Sequence, residues 1–452
     1  MNKPNIIFYF SDQQRWDTIG CYGQELDITP NLDKLAEEGV IFDEAYTAQP
    51  VCGPCRAIFQ TGKYPTQIGC FKNDIALPLD IKTLANYFEE AGYDTGYIGK
   101  WHLASETKDN GEVIDYTVTA IPPERRGGYN GFWRAADILE FTSHGYDGFV
   151  FDENMNKCEF KGYRVDCITD FALEYLDKQN GDKPFFMTIS HIEPHHQNDR
   201  NTYEGPDGSK TRFKDFKLPG DLEALKGNAV EEYPDYLGCC KSLDDNLGRV
   251  IDKLKEKGIY DNTIIVYSSD HGSHFKTRNN DRNLNGSDDY KRSCHSGCLH
   301  VPLIISGPGY KGGKRIKDLV STASLPKTFL AMAGVNVGDN MIGENLHDVV
   351  EGKTDGRLNE IFAQISESRV GRCVRTDKYL YSVFAPEKDG FKYAESDVYE
   401  EDFLYDLEKD PYELNNLIKD KEYEQIRNEM SKRLKYEMKL AGEKEPVILK
   451  AR

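Results

Sequence analysis

The chain has 452 residues, 38% of them apolar, and a formal charge of −19. That length buries one large domain with a smaller companion, and the acidic balance excludes general nucleic-acid binding and contact with anionic membranes. No apolar run reaches the length of a membrane span, and an anionic substrate would need positive charge concentrated locally.

The chain passes from Met1-Asn2-Lys3-Pro4 directly into an apolar run at 6–10, too short for a secretory signal, so a cytoplasmic protein is expected. The 11 cysteines are odd in number and scattered, with Cys239 and Cys240 adjacent, which points to reduced thiols rather than a disulfide framework. The run at 6–10 ends in Ser11-Asp12-Gln13. Thr29-Pro30 opens a helix over 31–39 with Leu32, Leu35 and Ala36 on one face, and 83–92 repeats the pattern with Leu84, Tyr87 and Phe88. The run at 95–99 leads to Lys100-Trp101-His102, and the run at 185–189 leads to Ser190-His191 and then Pro194-His195. A long helix is predicted over 231–258, followed by a run at 263–267 that ends in Ser268-Ser269-Asp270-His271-Gly272. The four runs are short, continuous, and β-branched or aromatic, as strands buried on both faces of a parallel sheet are. Their alternation with helices predicts an α/β fold with a doubly wound, mostly parallel central sheet flanked by helices. A fifth strand is expected at 301–306. From about Glu351 the character changes, with strand-like pieces at 378–384 and 403–407, an Asp410-Pro411 turn and a charged helix near 421–440. The expected division is therefore a catalytic domain over 1–350 and a smaller C-terminal α+β subdomain over 351–452.

Ligands of such sheets bind beyond the carboxyl ends of the strands, so the four polar clusters can converge. Between them lies Val51-Cys52-Gly53-Pro54-Cys55-Arg56, closing on Thr61-Gly62. Pro54 suits a first helical turn and Gly62 a C′ position, so Cys52 is expected at the N-terminus of a roughly two-turn helix, where the dipole favours an anion. Cys-Gly-Pro-Cys is also the redox dithiol of thioredoxins, but those domains have about 100 residues. Asp12 with Gln13 and Asp270 with His271 describe a divalent-cation site with open positions. Taken singly, such an Asp is equally a turn former, and Lys100, His102, His195 and Lys291 are ordinary surface groups; His191 and His196 compete with His195 for any role.

Together, Cys52-Gly-Pro-Cys-Arg56 with Thr61-Gly62, Asp12-Gln13 followed by Gly20-Cys21-Tyr22-Gly23, Gly99-Lys-Trp-His102, Pro194-His195 and Ser269-Asp-His-Gly272 resemble the motifs of the type I, formylglycine-dependent sulfatases of the alkaline phosphatase superfamily. The segments 404–411 and 415–417 look like that family's closing segment, so the resemblance spans nearly the whole chain. It implies that Cys52 is converted by a maturation enzyme to formylglycine, whose hydrate is the nucleophile. Arg56 would steady that residue; Asp12, Gln13, Asp270 and His271 would hold the metal along with it. His102 would be the base that collapses the sulfated intermediate, and Lys100, His195 and Lys291 would bind sulfate oxygens or protonate the leaving group. The implied reaction is hydrolysis of a sulfate monoester, with a small sulfated mono- or oligosaccharide as substrate.

Three positions depart from the family pattern. Cys55 stands where Ser or Ala is usual and could pair with Cys52; Gln13 stands for Asp and His271 for Asn. Ca²⁺ is favoured by the resemblance, whereas an imidazole ligand fits Mn²⁺ better, and Mg²⁺ is a further candidate. The Gln13 and His271 variants also resemble the related phosphonate monoester hydrolases and phosphodiesterases, the second functional reading; a thiol redox protein using Cys52 and Cys55 is the third. Substrate contacts beyond sulfate are expected from segments 106–144, 196–216 and 276–300, with Lys276, Arg278, His295 and His300 as candidates.

Overall fold

The computed structural model describes residues 3–105, 107–109, 112–278 and 290–451. Ten strands form the central sheet: β1 (Asn5–Ser11), β2 (Val40–Tyr46), β3 (Asp94–Lys100), β4 (Phe132–Ala136), β5 (Asp147–Asp152), β6 (Lys157–Lys161), β7 (Phe185–Ser190), β8 (Thr263–Ser269), β9 (Leu303–Ser306) and β10 (Lys314–Ser321). Their spatial order is β10-β2-β9-β8-β1-β7-β3-β4-β5-β6. The four apolar runs become β1, β3, β7 and β8, adjacent and parallel at the centre of the sheet. The outer strands make the sheet mixed: β9 runs antiparallel to β8 and β2, and β5 antiparallel to β4 and β6. β5 and β6 follow β4 through short links that hold no full crossover helix, which a parallel neighbour requires.

Helices cover both faces. Alternate residues of β1 feed two separate cores, because successive side chains point to opposite faces. Ile6, Phe8 and Phe10 join Phe59 of α1 (Cys52–Thr61), Phe88 of α2 (Leu84–Glu90) and Phe329 of α3 (Leu325–Met332). Ile7 and Tyr9 join Ile168 and Ala172 of α4 (Arg164–Lys178) and Leu243, Leu247 and Val250 of α5 (Ala229–Glu256). The helix expected at 31–39 is present as Pro30–Glu38 and packs into the second core through Leu32 and Leu35.

A second sheet follows, with strands β11 (Glu360–Ile365), β12 (Gly371–Thr376), β13 (Tyr379–Phe384), β14 (Val398–Asp406) and β15 (Val447–Leu449) side by side in that order. The helix α6 (Glu424–Leu440) buries Met430, Leu434 and Met438, spaced one turn apart, against Phe362, Val374, Tyr381 and Leu404. The segment 106–144, expected to be an insertion, instead contributes β4 to the main sheet; Glu106 itself lies outside the described residues.

Candidate active site

The sheet register builds the site. Ser11 pairs with Ser269 in the parallel ladder between β1 and β8, so Asp12 and Asp270 emerge side by side. Gly99, at φ +102°, lies so close to β7 that an added Cβ would sit 2.0 Å from the Ser190 carbonyl oxygen. That approach brings the end of β3, and hence Lys100, against the end of β7. Helix α1 is buried along its whole length and ends on Gly62 at φ +62°, the left-handed cap a glycine tolerates. Cys52 is its first residue and 1% exposed.

Around Cys52 the separate segments meet. Its Sγ lies 3.1 Å from Lys291 Nζ, 3.2 Å from His271 Nε2 and 3.4 Å from Asp12 Oδ1. Arg56 donates from Nη2 to Asp12 Oδ2 at 2.9 Å and to Asp270 Oδ2 at 3.2 Å, and from Nη1 to Ser190 Oγ and the Lys100 carbonyl. Its guanidinium also lies 5.0 Å from the centre of the Phe10 ring, which excludes water from that side. Lys100 Nζ donates to Asp12 Oδ2 at 2.7 Å. His195 Nε2 is 2.8 Å from Lys291 Nζ, while His191 is packed into the core against Tyr9 and His196 stacks on Tyr290. Burial, helped by Arg164, pushes the His191 imidazole down to about 3, so it is neutral and structural.

His102 backs onto the same space at φ +57°, its N–H donating to the Asp137 carbonyl. Both ring nitrogens are buried, and the ring lies beside the Cys52 side chain. The buried Asp137 carboxylate accepts from the N–H groups of Leu103 and Ala104 and from Ser105 Oγ, fixing the turn that carries His102. Asp137 had a legible signal, an Asp directly after a strand, hidden because that strand lay in a segment read as loop.

The charges explain how the cluster persists in a protein of net charge −19. Burial raises the Cys52 thiol, but Lys100, Lys291, His271 and His102 overcome it and hold the thiol well below its ordinary value. Asp12 is disfavoured by burial and by Cys52, yet Lys100, His195 and Arg56 keep its carboxyl below the usual range. Asp270 is pushed upward by burial and by Asp12, the split expected of two carboxylates sharing a site. Burial opposes the charge on His271, but Asp270 and Cys52 outweigh it and raise the imidazole.

The donor set fits a cation. Ligand-type atoms of Asp12, Cys52, Asp270 and His271 all lie within 4.8 Å of one another. His271 Nδ1 is 2.9 Å from the Gly272 carbonyl, which can only accept, so Nδ1 carries the hydrogen and Nε2 is the ligating atom. Gln13 uses its amide nitrogen on Tyr203 Oη and Ser273 Oγ, which leaves its carbonyl oxygen as the atom able to bind a cation.

Cys55 faces elsewhere: its thiol donates to the Asp270 carbonyl, lies beside Thr47 Oγ1, and is pushed up by burial and by Asp270. No disulfide joins it to Cys52. Three of the four expected substrate-contact residues are committed internally. Arg278 donates to the carbonyls of Tyr412 and Glu413; His295 is buried against Tyr405 Oη and Ser293 Oγ; His300 is stacked between Trp16 and Tyr46 and bonds the Asp43 carbonyl. These three residues were expected to meet substrate, but their polar atoms are taken up by the protein's own distant segments. Lys276 is half-buried, with its ammonium 4.8 Å from the Tyr290 ring centre. Residues 279–289 of the segment 276–300 lie outside the described residues.

A mixed sheet with a buried cysteine at a helix N-terminus, a cation-type donor set and converging basic groups at its carboxyl edge is consistent with a hydrolytic enzyme of the alkaline phosphatase superfamily. The sulfatase family profile matches residues 4–335, and that of the C-terminal region of N-sulphoglucosamine sulphohydrolase matches 288–439. The chain thus belongs to the sulfatase family. An ulvan-active sulfatase from Formosa agariphila is 29% identical over 98% of this chain and 82% of its own length. An N-acetylglucosamine-6-O-sulfatase from Bacteroides thetaiotaomicron is 28% identical over 99% and 89%. Among solved structures, the putative sulfatase yidJ from Bacteroides fragilis superposes with a TM-score of 0.79 at 26% identity, covering 98% of this chain and 96% of that one. A phosphonate monoester hydrolase of Agrobacterium radiobacter shares the fold at 21% identity and a TM-score of 0.66, over 97% and 95% of the two chains. No helix among the described residues is long and apolar enough to cross a membrane.

Proposed function

We propose that this sulfatase hydrolyses a sulfate monoester of a mono- or oligosaccharide, releasing inorganic sulfate, with formylglycine made from Cys52 by a maturation enzyme. The observation that carries the reading is the placement of Cys52 Sγ, which stands in for the formylglycine oxygens, within 3.4 Å of Lys291, His271 and Asp12. The hydrated aldehyde supplies one hydroxyl to attack sulfur and a second whose deprotonation expels sulfate by C–O cleavage, an exit that a serine or cysteine ester lacks. His102, with its buried ring beside residue 52, is the group that takes that second proton. Lys100 and Lys291 neutralise charge on the transferred group, where preorganised electrostatics contribute most. His195, against Lys291, donates the proton to the leaving alcohol.

Asp12, Asp270, His271 and the Gln13 carbonyl would hold one divalent cation, Ca²⁺ by family likeness, with Mn²⁺ and Mg²⁺ as competitors; it would act as a Lewis acid on the sulfate oxygens. The carbohydrate assignment rests on the named activities of the Formosa and Bacteroides thetaiotaomicron relatives. The odd, scattered cysteine count supports a cytoplasmic, reducing compartment. A screen of sulfated mono- and disaccharides, read by sulfate release, tests the reading: turnover of at least one sugar sulfate is expected, and none from a protein whose Cys52 is converted would overturn it. The Gln13 and His271 variants favour phosphonate monoester or phosphate diester hydrolysis as the second reading.

A further inference from the structure

The loop between β11 and β12 reaches from the second sheet to the loops that surround Cys52. Three consecutive side chains make the contacts. Ser366 Oγ accepts from Gln49 Nε2 at 2.7 Å, just upstream of helix α1. Ser368 Oγ donates to the Arg292 carbonyl at 2.7 Å. Between them Glu367, 3% exposed, accepts the Asn73 N–H on Oε1 at 2.7 Å and forms an ion pair with Arg292 through Oε2. Asn73 in turn accepts the N–H of Gly53, the residue next to Cys52, at 2.9 Å.

One buried carboxylate thus ties together both flanks of residue 52. The Arg292 flank has the larger consequence, because Lys291 stands between Tyr290 at φ +69° and Arg292 at φ +66°. Left-handed conformations at two bulky non-glycine residues are unfavourable and persist only when surrounding contacts determine them. Among the contacts that hold Arg292 are the Glu367 ion pair, the Ser368 bond to its carbonyl, its own N–H to the Pro50 carbonyl and the Phe391 ring under its guanidinium. Glu367 is itself at φ +63°, so strain lies on both sides of this ion pair.

We infer that Glu367 is a positioning residue for sulfate transfer: through Arg292 it fixes the strained loop that presents the Lys291 ammonium to residue 52, making the second sheet part of the catalytic apparatus. This rests on the role given to Lys291 under the proposed function. A Glu367→Gln change is informative because glutamine retains an acceptor for the Asn73 N–H and loses the charge that holds Arg292.

The test is a double-mutant cycle on the formylglycine-containing enzyme, comparing wild type, Glu367→Gln, Lys291→Ala and the double variant, with sulfate release from an aryl sulfate and thermal melting measured for each. Glu367→Gln is expected to lower kcat by about 100-fold, the cost of a misplaced catalytic group, with KM within about threefold. In the Lys291→Ala background the same change is expected to lower kcat by less than about threefold, because the group it positions is absent. Arg292→Gln breaks the pair from its other end and is expected to reproduce the result, which keeps the test open if Glu367→Gln does not fold. Equal losses with and without Lys291, or wild-type kcat in both pair-breaking variants, would overturn the inference. Wild-type sulfate release by Lys291→Ala would instead overturn the role of Lys291 and leave the Glu367 ion pair a structural feature.

Discussion

Lys291 brings its ammonium within 3.1 Å of Cys52 Sγ across 239 residues of sequence. Nothing local to either residue accounts for the contact. It arises because residues 290–292 lie against the N-terminus of α1 and are tied there by Glu367 and Ser368 of the second sheet. Lys291→Ala should therefore remove charge stabilisation from the transition state and lower kcat by roughly 10²–10³, as loss of one oxyanion-type donor does. Steady-state sulfate release checks this, with thermal melting as the control for folding.

The unconverted protein should contain one thiol that titrates far below the others. Lys100, Lys291, His271 and His102 hold Cys52 low, while burial and Asp270 hold Cys55 high. Thiolate absorbance in metal-free protein should show one low-pH titration that Cys52→Ala abolishes and Cys55→Ala preserves. Cys55→Ala should likewise keep sulfatase activity after conversion, which a redox dithiol would not allow.

Cation binding should depend on both strand ends. The matured enzyme is expected to bind one divalent ion, to melt at higher temperature when loaded, and to lose at least about 100-fold in affinity on Asp12→Asn or Asp270→Asn. Calorimetric titration with Ca²⁺ and with Mn²⁺ measures the affinities. His271→Asn should move the preference toward Ca²⁺, because an amide oxygen replaces imidazole nitrogen in the donor set.

Much of this arrangement was legible from sequence because the informative residues follow strands. Asp12, Lys100 and Asp270 each follow an apolar run and His195 lies in the loop beyond one, and burial of four continuous runs points to one parallel sheet, so the convergence of their polar ends follows from the fold class. Cys52 and Arg56 were legible from helix signals, Pro54 and Gly62. Asp137 behind His102 escaped because the strand it follows lay in a segment read as an insertion, and Glu367, in a turn of the second sheet, carried no local pattern at all. The outer strands were missed because β5 and β6 are half-exposed and lack continuous apolar runs. His295, His300 and Arg278, expected as substrate contacts, bond instead to partners in distant segments that no local pattern reveals: Tyr405, the Asp43 carbonyl and the Tyr412-Glu413 backbone.

A pH effect on stability follows from α6. Burial and the neighbouring Glu360 raise the Glu437 carboxyl to about 7. A folded value above the unfolded one means that the folded state holds the proton more tightly. The stabilisation is present in full below the unfolded value and is lost as pH rises toward 7. Glu437→Gln should remove that loss and stabilise the protein above neutrality by about 1 kcal/mol, allowing for the partial exposure of the group. Denaturant unfolding at acidic and alkaline pH measures it; equal effects at both would count against a proton-linked cause.

The most direct test of the central claim, that the groups converging on residue 52 form a sulfate-ester site, compares kcat/KM on an aryl sulfate with kcat/KM on a phosphate diester. The protein used is one whose Cys52 is shown by mass to be formylglycine. A larger value for the sulfate ester, abolished by Cys52→Ala, is the expected result. A larger value for the diester, or sulfate turnover that survives Cys52→Ala, would contradict it.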